Sequence, residues 1–320
     1  VSEMAYHINP TEEPDDDLAQ GNAEERRDDC GHIVKALDAR YDVRNSVLCE
    51  LISHALEHQG RLPEKARQTY GDQVQPQVFD AIEAAALDRL QSRAGRHLRH
   101  RMRERHARIL GDIELPTSLR WDPIIRTLCS LLQQTTDISS KYPQVHALEI
   151  KDVDGYLVFR VSACDEYQRG LIAMAEALSA SWPAPGLKDD AEGKARYKEL
   201  KTQHGRILGQ GLECDAGWIN LITVLCDGLQ HATDNMGAPQ VETLQVKEKF
   251  GTLRFYITQC SEHQRGLIDL ACAMSSKTCE HCGRPGSMWV SRGYFHTACD
   301  EHRRPQSITV WRYVRQRNAN

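Results

Sequence analysis

With 320 residues the chain is long enough for two or three domains, each able to bury a core of its own, so it needs no staple merely to fold. A formal charge of −5 demands neither a nucleic-acid nor a membrane partner, and no apolar run approaches membrane-spanning length. Cysteine is present in an odd number, 11, and no basic segment followed by an apolar stretch reads as a secretory signal, so the expectation is a reducing, cytoplasmic compartment in which clustered cysteine serves as metal ligand.

In chain order, residues 1–29 are expected to form an acidic, disordered tail: 11–29 (TEEPDDDLAQGNAEERRDD) is strongly acidic and lacks hydrophobic periodicity. A helical domain is expected over 30–110, with helices at 43–59 and 75–110, the second ending in the basic run 89–108 (RLQSRAGRHLRHRMRERHAR). Guanidinium groups along a helix suit phosphates, which makes Arg93, Arg96, Arg99, Arg101, Arg103, Arg105 and Arg108 candidate nucleic-acid contacts. The same charges also suit a plain solvated face, or a helix neutralised by the acidic segment; in that last case 11–29 would mask 89–108 until a partner displaced it.

The next part of the chain repeats itself. WDPIIRTLCSLLQ from Trp121 matches WINLITVLCDGLQ from Trp218, and YQRGLIAMAEALS from Tyr167 matches HQRGLIDLACAMS from His263. Between the matches lie HALEIKDVDGYLVFRV and ETLQVKEKFGTLRFYI, each a predicted hairpin with Gly155 or Gly251 at the turn. The fold class expected is α+β: tandem α-β-β-α units over 111–190 and 214–304, joined by a charged linker at 191–213 with a short helix in AEGKARYKELKTQHGRIL, and followed by a basic tail at 305–320. A lone hairpin is marginal in water, so the two are expected to pair as a four-stranded sheet with helices on one face. The matched tryptophans, cysteines and Gln-Arg-Gly triplets suit core packing and helix starts.

The second copy alone continues into Cys279-x2-Cys282-x16-Cys299-x2-His302. Two close ligand pairs separated by a long interval suit tetrahedral zinc, with His281 and His296 as substitutes should one ligand be misassigned. A redox Cys-x-x-Cys would leave the second pair unexplained. Four protein ligands leave no open position, so the zinc is expected to be structural. SMWVSRGYFHT between the pairs reads as two strands turned at Arg292-Gly293, and the knuckle, hairpin and ligands at a helix start resemble the treble-clef group of zinc modules. The stretch from Cys214 to His302, with GWINLITVLCDGL, VKEKFGTLRFY, CEHCGRPG and CDEH, resembles a family of uncharacterised proteins in bacteria and their prophages. The resemblance covers under a third of the chain and implies the zinc module but no activity.

The function expected is a non-enzymatic zinc-containing binding protein, phage or mobile-element related, that contacts nucleic acid or a protein partner. Arg312 and Arg315, beside Trp311 and Tyr313, add cationic and stacking surface. One alternative is a metal-dependent nuclease built on Glu149-x-Lys151 with Asp137, although the second copy has Gln245 at the matching place. Another is an immunity or antitoxin-like protein that binds a protein. Lys247, Lys249, Arg254 and Tyr256 cluster on the second hairpin, and no Walker loop, dinucleotide fingerprint or Ser/His/Asp arrangement is present.

Overall fold

The computed structural model describes residues 23–38, 40–41, 43–58, 61–116, 119–209 and 211–318. It is mixed α+β and divides into two compact units, with the boundary between Met102 and Arg103. Among the described residues no helix is long and apolar enough to cross a membrane.

The N-terminal unit is built from α1 (Ala23–Asp38), α2 (Asn45–Glu57), α3 (Glu64–Tyr70) and most of α4 (Pro76–Arg105). In α2, Leu48, Leu51, Ile52, Ala55 and Leu56 fall on one face and are buried against Ile33 and Leu37 of α1 and Phe79, Ile82 and Ala86 of α4. Proline opens α4 at a position whose N–H has no helical acceptor in any case. Residues 23–29, expected in the disordered tail, instead begin α1; Asp29 is buried there by ion pairing, which a periodicity argument does not register. The rest of the expected tail, 1–22, lies outside the described residues.

The C-terminal unit continues through a short α5 (Ala107–Leu110) to α6 (Asp122–Ile138), the hairpin β1 (Ala147–Val153) and β2 (Tyr156–Val161), and α7 (Glu166–Ser179). The short helix expected in the charged linker forms as α8 (Asp190–Gln203), whose Leu200 is buried, and β3 (Leu212–Glu213) follows it. The order helix, hairpin, helix then recurs as α9 (Ile219–Met236), β4 (Thr243–Lys249), β5 (Thr252–Ile257) and α10 (Glu262–Met274). Last come β6 (Ser287–Ser291), β7 (Tyr294–Ala298), β8 (Ile308–Thr309) and α11 (Val310–Asn318).

The two helix-hairpin-helix segments are held by matching bonds. Both hairpins turn through two residues of positive φ, Asp154-Gly155 and Phe250-Gly251, a geometry whose twist matches that of the strands. Capping boxes start both following helices, Asp165 with Gln168 and Ser261 with Gln264. Gln168 Nε2 donates to Thr135 Oγ1 and Pro143 O, and Gln264 Nε2 donates to Thr233 Oγ1 and Pro239 O, so each glutamine satisfies a buried loop before the hairpin. Ser179 Oγ accepts from Leu157 N and Ser275 Oγ from Leu253 N, tying each second helix to its hairpin.

The hairpins do not form the expected four-stranded sheet. β1 and β2 make a two-stranded sheet, while β4 and β5 take up β3 in parallel as an edge strand. The segments join through α7 and α10, which cross at Gly170 and Gly266: a Cβ on Gly170 would lie 2.0 Å from His263 O, and one on Gly266 2.1 Å from Tyr167 O. Tyr167 OH donates to Asp269 Oδ2 at 2.9 Å beside the crossing.

Candidate metal centre

Cys279 and Cys282 sit on a knuckle directly after α10. Gly283 adopts φ +81°, its N–H bonds to Cys279 O at 2.8 Å, and Cys279 N bonds to Arg284 O at 2.8 Å, so the turn folds back over its own sulfurs. The knuckle is stitched to the rest of the unit by backbone bonds: Gly217 N to Glu280 O at 2.7 Å, Leu187 N to Cys282 O at 2.8 Å, and Glu280 N to Thr297 O at 3.0 Å. Trp218, fully buried at the start of α9, donates from Nε1 to Thr278 O at 2.9 Å. No side chain fits at Gly217, where a Cβ would stand 2.3 Å from Cys279 O.

From the knuckle the chain runs through β6, turns at Arg292-Gly293 with positive φ at both, and returns along β7 to Cys299. A 3-10 turn over Asp300–His302 then swings His302 back. Ligand atoms of Cys279, Cys282, Cys299 and His302 all lie within 4.8 Å of one another, and this group could hold a metal ion. Cys282 Sγ is 3.8 Å from Cys299 Sγ, and His302 Nδ1 is 3.2 Å from Cys299 Sγ and 3.7 Å from Cys279 Sγ. A tetrahedral ion bonded at about 2.3 Å to sulfur and about 2.0 Å to imidazole has edges of about 3.8 Å between sulfurs and about 3.5 Å from sulfur to nitrogen. The donor set fits such an ion, and the sulfurs are too far apart for a disulfide.

The electrostatics around the sulfurs are divided. Burial pushes the Cys279 thiol up to about 11, against N–H bonds from Cys299, Cys282 and His281. For Cys282 burial also acts upward, but hydrogen bonds from Arg284, Cys279 and Cys299 together outweigh it and the thiol falls below its ordinary range. Arg284 Nε lies 3.5 Å from Cys282 Sγ and Nη2 3.9 Å from Cys299 Sγ, while its Nη1 bonds Glu301 Oε1 at 2.7 Å and its Nη2 bonds Glu301 Oε2. Three thiolates on a dication would leave a net charge of −1, and this guanidinium would face it. Gly186, from the segment after α7, makes room for Arg284; a Cβ there would fall 2.9 Å from its Cγ and Cδ.

Neither substitute histidine joins the group. His281 Nδ1 pairs with Asp215 Oδ2 at 2.7 Å, and His296 is buried on β7 with Nε2 3.4 Å from Ser307 Oγ. Arg284 and Glu301 escaped the sequence reading; their signal was adjacency, two residues after Cys282 and one before His302. A cleft of about 670 Å³ reaches Cys282 and His302 from the side of Tyr197 and Asp215, offering an ion a route in.

The expected 305–320 tail is ordered differently: β8 pairs with β6 and leads into α11, with Tyr313 edge-on to Phe295 at 5.8 Å. Arg312 and Arg315 are exposed there, and Arg315 lies 5.1 Å over Trp311, as Arg303 lies 4.8 Å over Trp289. The basic helix is not one surface. Arg93 is buried and ion-paired with Asp29, so it cannot meet a phosphate backbone; a buried guanidinium needs its partner more than it needs solvent. Arg103 donates to Ile113 O at 3.0 Å, and Arg108 bonds Asp137 at 2.6 Å and Gln144 at 2.8 Å. Arg96 and Arg105 are exposed, and Arg99 and Arg101 half-buried.

Glu149 is held by Lys151 at 2.9 Å and by Arg160 at 3.5 Å, and its carboxyl is lowered chiefly by the Lys151 hydrogen bond. Among the described residues, the Cys279 group is the one cluster of three or more potential ligands close enough to share an ion, so Glu149 and Asp137 assemble no such site. Compared with known proteins, the chain matches no family model, no curated protein and no solved structure.

Proposed function

We propose that the chain is a non-enzymatic binding protein in which a structural zinc ion, held by Cys279, Cys282, Cys299 and His302 in a treble-clef-like module, braces a basic and aromatic face that contacts nucleic acid. Three thiolates and one imidazole at tetrahedral spacing favour zinc over hard, oxygen-seeking ions. With four protein ligands the ion has no position for a reacting water, and its work is to hold the knuckle against β6 and β7. The observation that carries the nucleic-acid reading is the C-terminal face: Arg303 on Trp289, Arg315 on Trp311, and Arg317 5.9 Å from the Tyr313 ring, all on elements docked to the metal module. Cations beside half-buried rings suit a single strand, whose bases stack on the open part of each ring while its phosphates are neutralised.

The matched bonds at Gln168 and Gln264, and at Ser179 and Ser275, support the reading of the two segments as copies of one unit, of which the second took on the ligands. The nuclease alternative has weaker support, since Glu149 and Asp137 are each engaged by cations. A phage or mobile-element origin rests only on the resemblance of residues 214–302.

The test is metal analysis together with salt-titrated binding of a single-stranded oligonucleotide, on the native protein, Cys279→Ser, and a double Arg312→Ala/Arg315→Ala variant. Expected are zinc at one ion per chain, lost in Cys279→Ser, and an affinity whose logarithm falls with log salt by about 0.7 per phosphate contacted. The double variant should have a shallower slope. Zinc without salt-dependent binding would shift the reading to a protein partner, of the immunity or antitoxin kind; absence of zinc would remove its foundation.

A further inference from the structure

A second polar assembly lies in the N-terminal unit, away in sequence from the metal ligands. In α4, Arg89, Arg93, Arg96, His97 and His100 recur at three- and four-residue intervals and so share one helix face. With Asp28, Asp29 and His32 of α1 they enclose a cavity of about 360 Å³. Every lining residue is charged or a histidine.

The back of the cavity is a triad of the buried Asp29 and Arg93 with the half-buried Arg89. Asp29 Oδ1 is 2.8 Å from Arg89 Nε, and its other oxygen pairs with Arg93, which is 2% exposed. One carboxylate thus lies between two guanidinium groups, and Arg93 is the more deeply placed of the two. For the buried Asp29–Arg93 pair, apolar side chains of similar volume would stabilise the fold about as well, so the pair is poorly explained by stability alone. Arg96 adds a further charge towards the mouth and Asp28 offsets one. The lining as a whole holds three arginines, two aspartates and three histidines. A cation site is disfavoured, because among the described residues no His and Asp set in this unit brings its ligand atoms close enough to share an ion.

We propose that the cavity between α1 and α4 binds phosphate groups, with Arg96, His97 and His100 reaching the oxygens and the Arg89–Asp29–Arg93 triad behind them. Guanidinium forks match phosphate oxygens in pairs, and histidine adds N–H donors whose strength grows on protonation. The volume exceeds that of one phosphate and lies at the small end of ligand sites, so the group arrives on a phosphorylated small molecule or on a nucleic-acid strand. No residue of α11 or of the metal centre takes part, and the site stands or falls separately from the function proposed above.

The experiment is calorimetric titration of the full-length protein with pyrophosphate at low salt, repeated on Arg96→Ala and His100→Gln, with far-UV circular dichroism to verify that both variants fold. Both side chains are exposed, so the fold should survive. Binding at one site per chain is expected, at least tenfold weaker in Arg96→Ala and several-fold weaker in His100→Gln. No heat of binding at millimolar pyrophosphate, or binding that neither substitution weakens, overturns the proposal. Where binding is found, competition with a short oligothymidylate separates the sources: displacement assigns the site to strand phosphates, and lack of it to a free phosphorylated molecule.

Discussion

The crossing of α7 and α10 permits a sharp test, because the two glycines that form it obstruct the same gap. A Cβ at position 266 would stand 2.1 Å from Tyr167 O, 2.7 Å from Leu171 N and 2.9 Å from Gly170 Cα. All three are backbone atoms, so no side chain can turn aside, and restoring ordinary contact parts the helices by about 1.3 Å. Overpacking of this kind costs about 1–3 kcal/mol, and backbone obstruction places it at the upper end. Alanine returns about 1 kcal/mol through its higher helix propensity, leaving a net loss of about 2 kcal/mol for Gly266→Ala and the same for Gly170→Ala. Once one alanine has parted the helices the second finds the gap already open, so the double variant should lose about 2–3 kcal/mol rather than the sum. All five tryptophans lie beyond Met102, so urea unfolding followed by tryptophan fluorescence reports the C-terminal unit alone. A loss below about 0.5 kcal/mol in either single variant, or full additivity in the double, would refute the close reciprocal crossing.

Two further outcomes are expected. Arg284→Met removes the guanidinium that faces the Cys282 and Cys299 sulfurs, and metal retention should weaken by about 10–100-fold in competition with a chromogenic chelator; unchanged retention would deny Arg284 any influence on the ion. Glu176 accepts from Phe159 N while burial raises its carboxyl above the ordinary 4.5. The folded state therefore holds that proton more firmly than the unfolded chain, and stability falls as pH rises through the interval between the two pKa values. Glu176→Gln keeps an acceptor without the charge, so it should raise the urea midpoint at pH 7 and have no advantage below pH 4.5. An advantage that persists in acid would assign the gain to something other than the carboxylate's ionisation.

Some of this protein was legible before any coordinates. The ligand pairs are each local in sequence, Gly283 and Arg292-Gly293 are turn residues in turn positions, and the match of Trp121 with Trp218 predicts the same helix-hairpin-helix order that both segments adopt. Local chemistry suffices for such features, because a knuckle, a two-residue turn or an amphipathic face is decided by residues within a few places of one another.

What lay beyond the sequence was in each case a choice among distant partners. The hairpins offer generic backbone edges, and nothing in their side chains says whether β2 should meet β4 or β4 should take up β3; the close approach allowed by Gly170 and Gly266, 96 residues apart, decided for helix packing. Arg93 carries the same charge as Arg96 and stands on the same helix, yet only Arg93 is buried, because Asp29 comes within reach when α1 folds against α4. Arg284 and Glu301 became partners only after β6 and β7 had returned the chain to its starting point. Charge and periodicity determine which elements form and which side chains are able to bind; burial and pairing across the fold determine which of them remain on the surface.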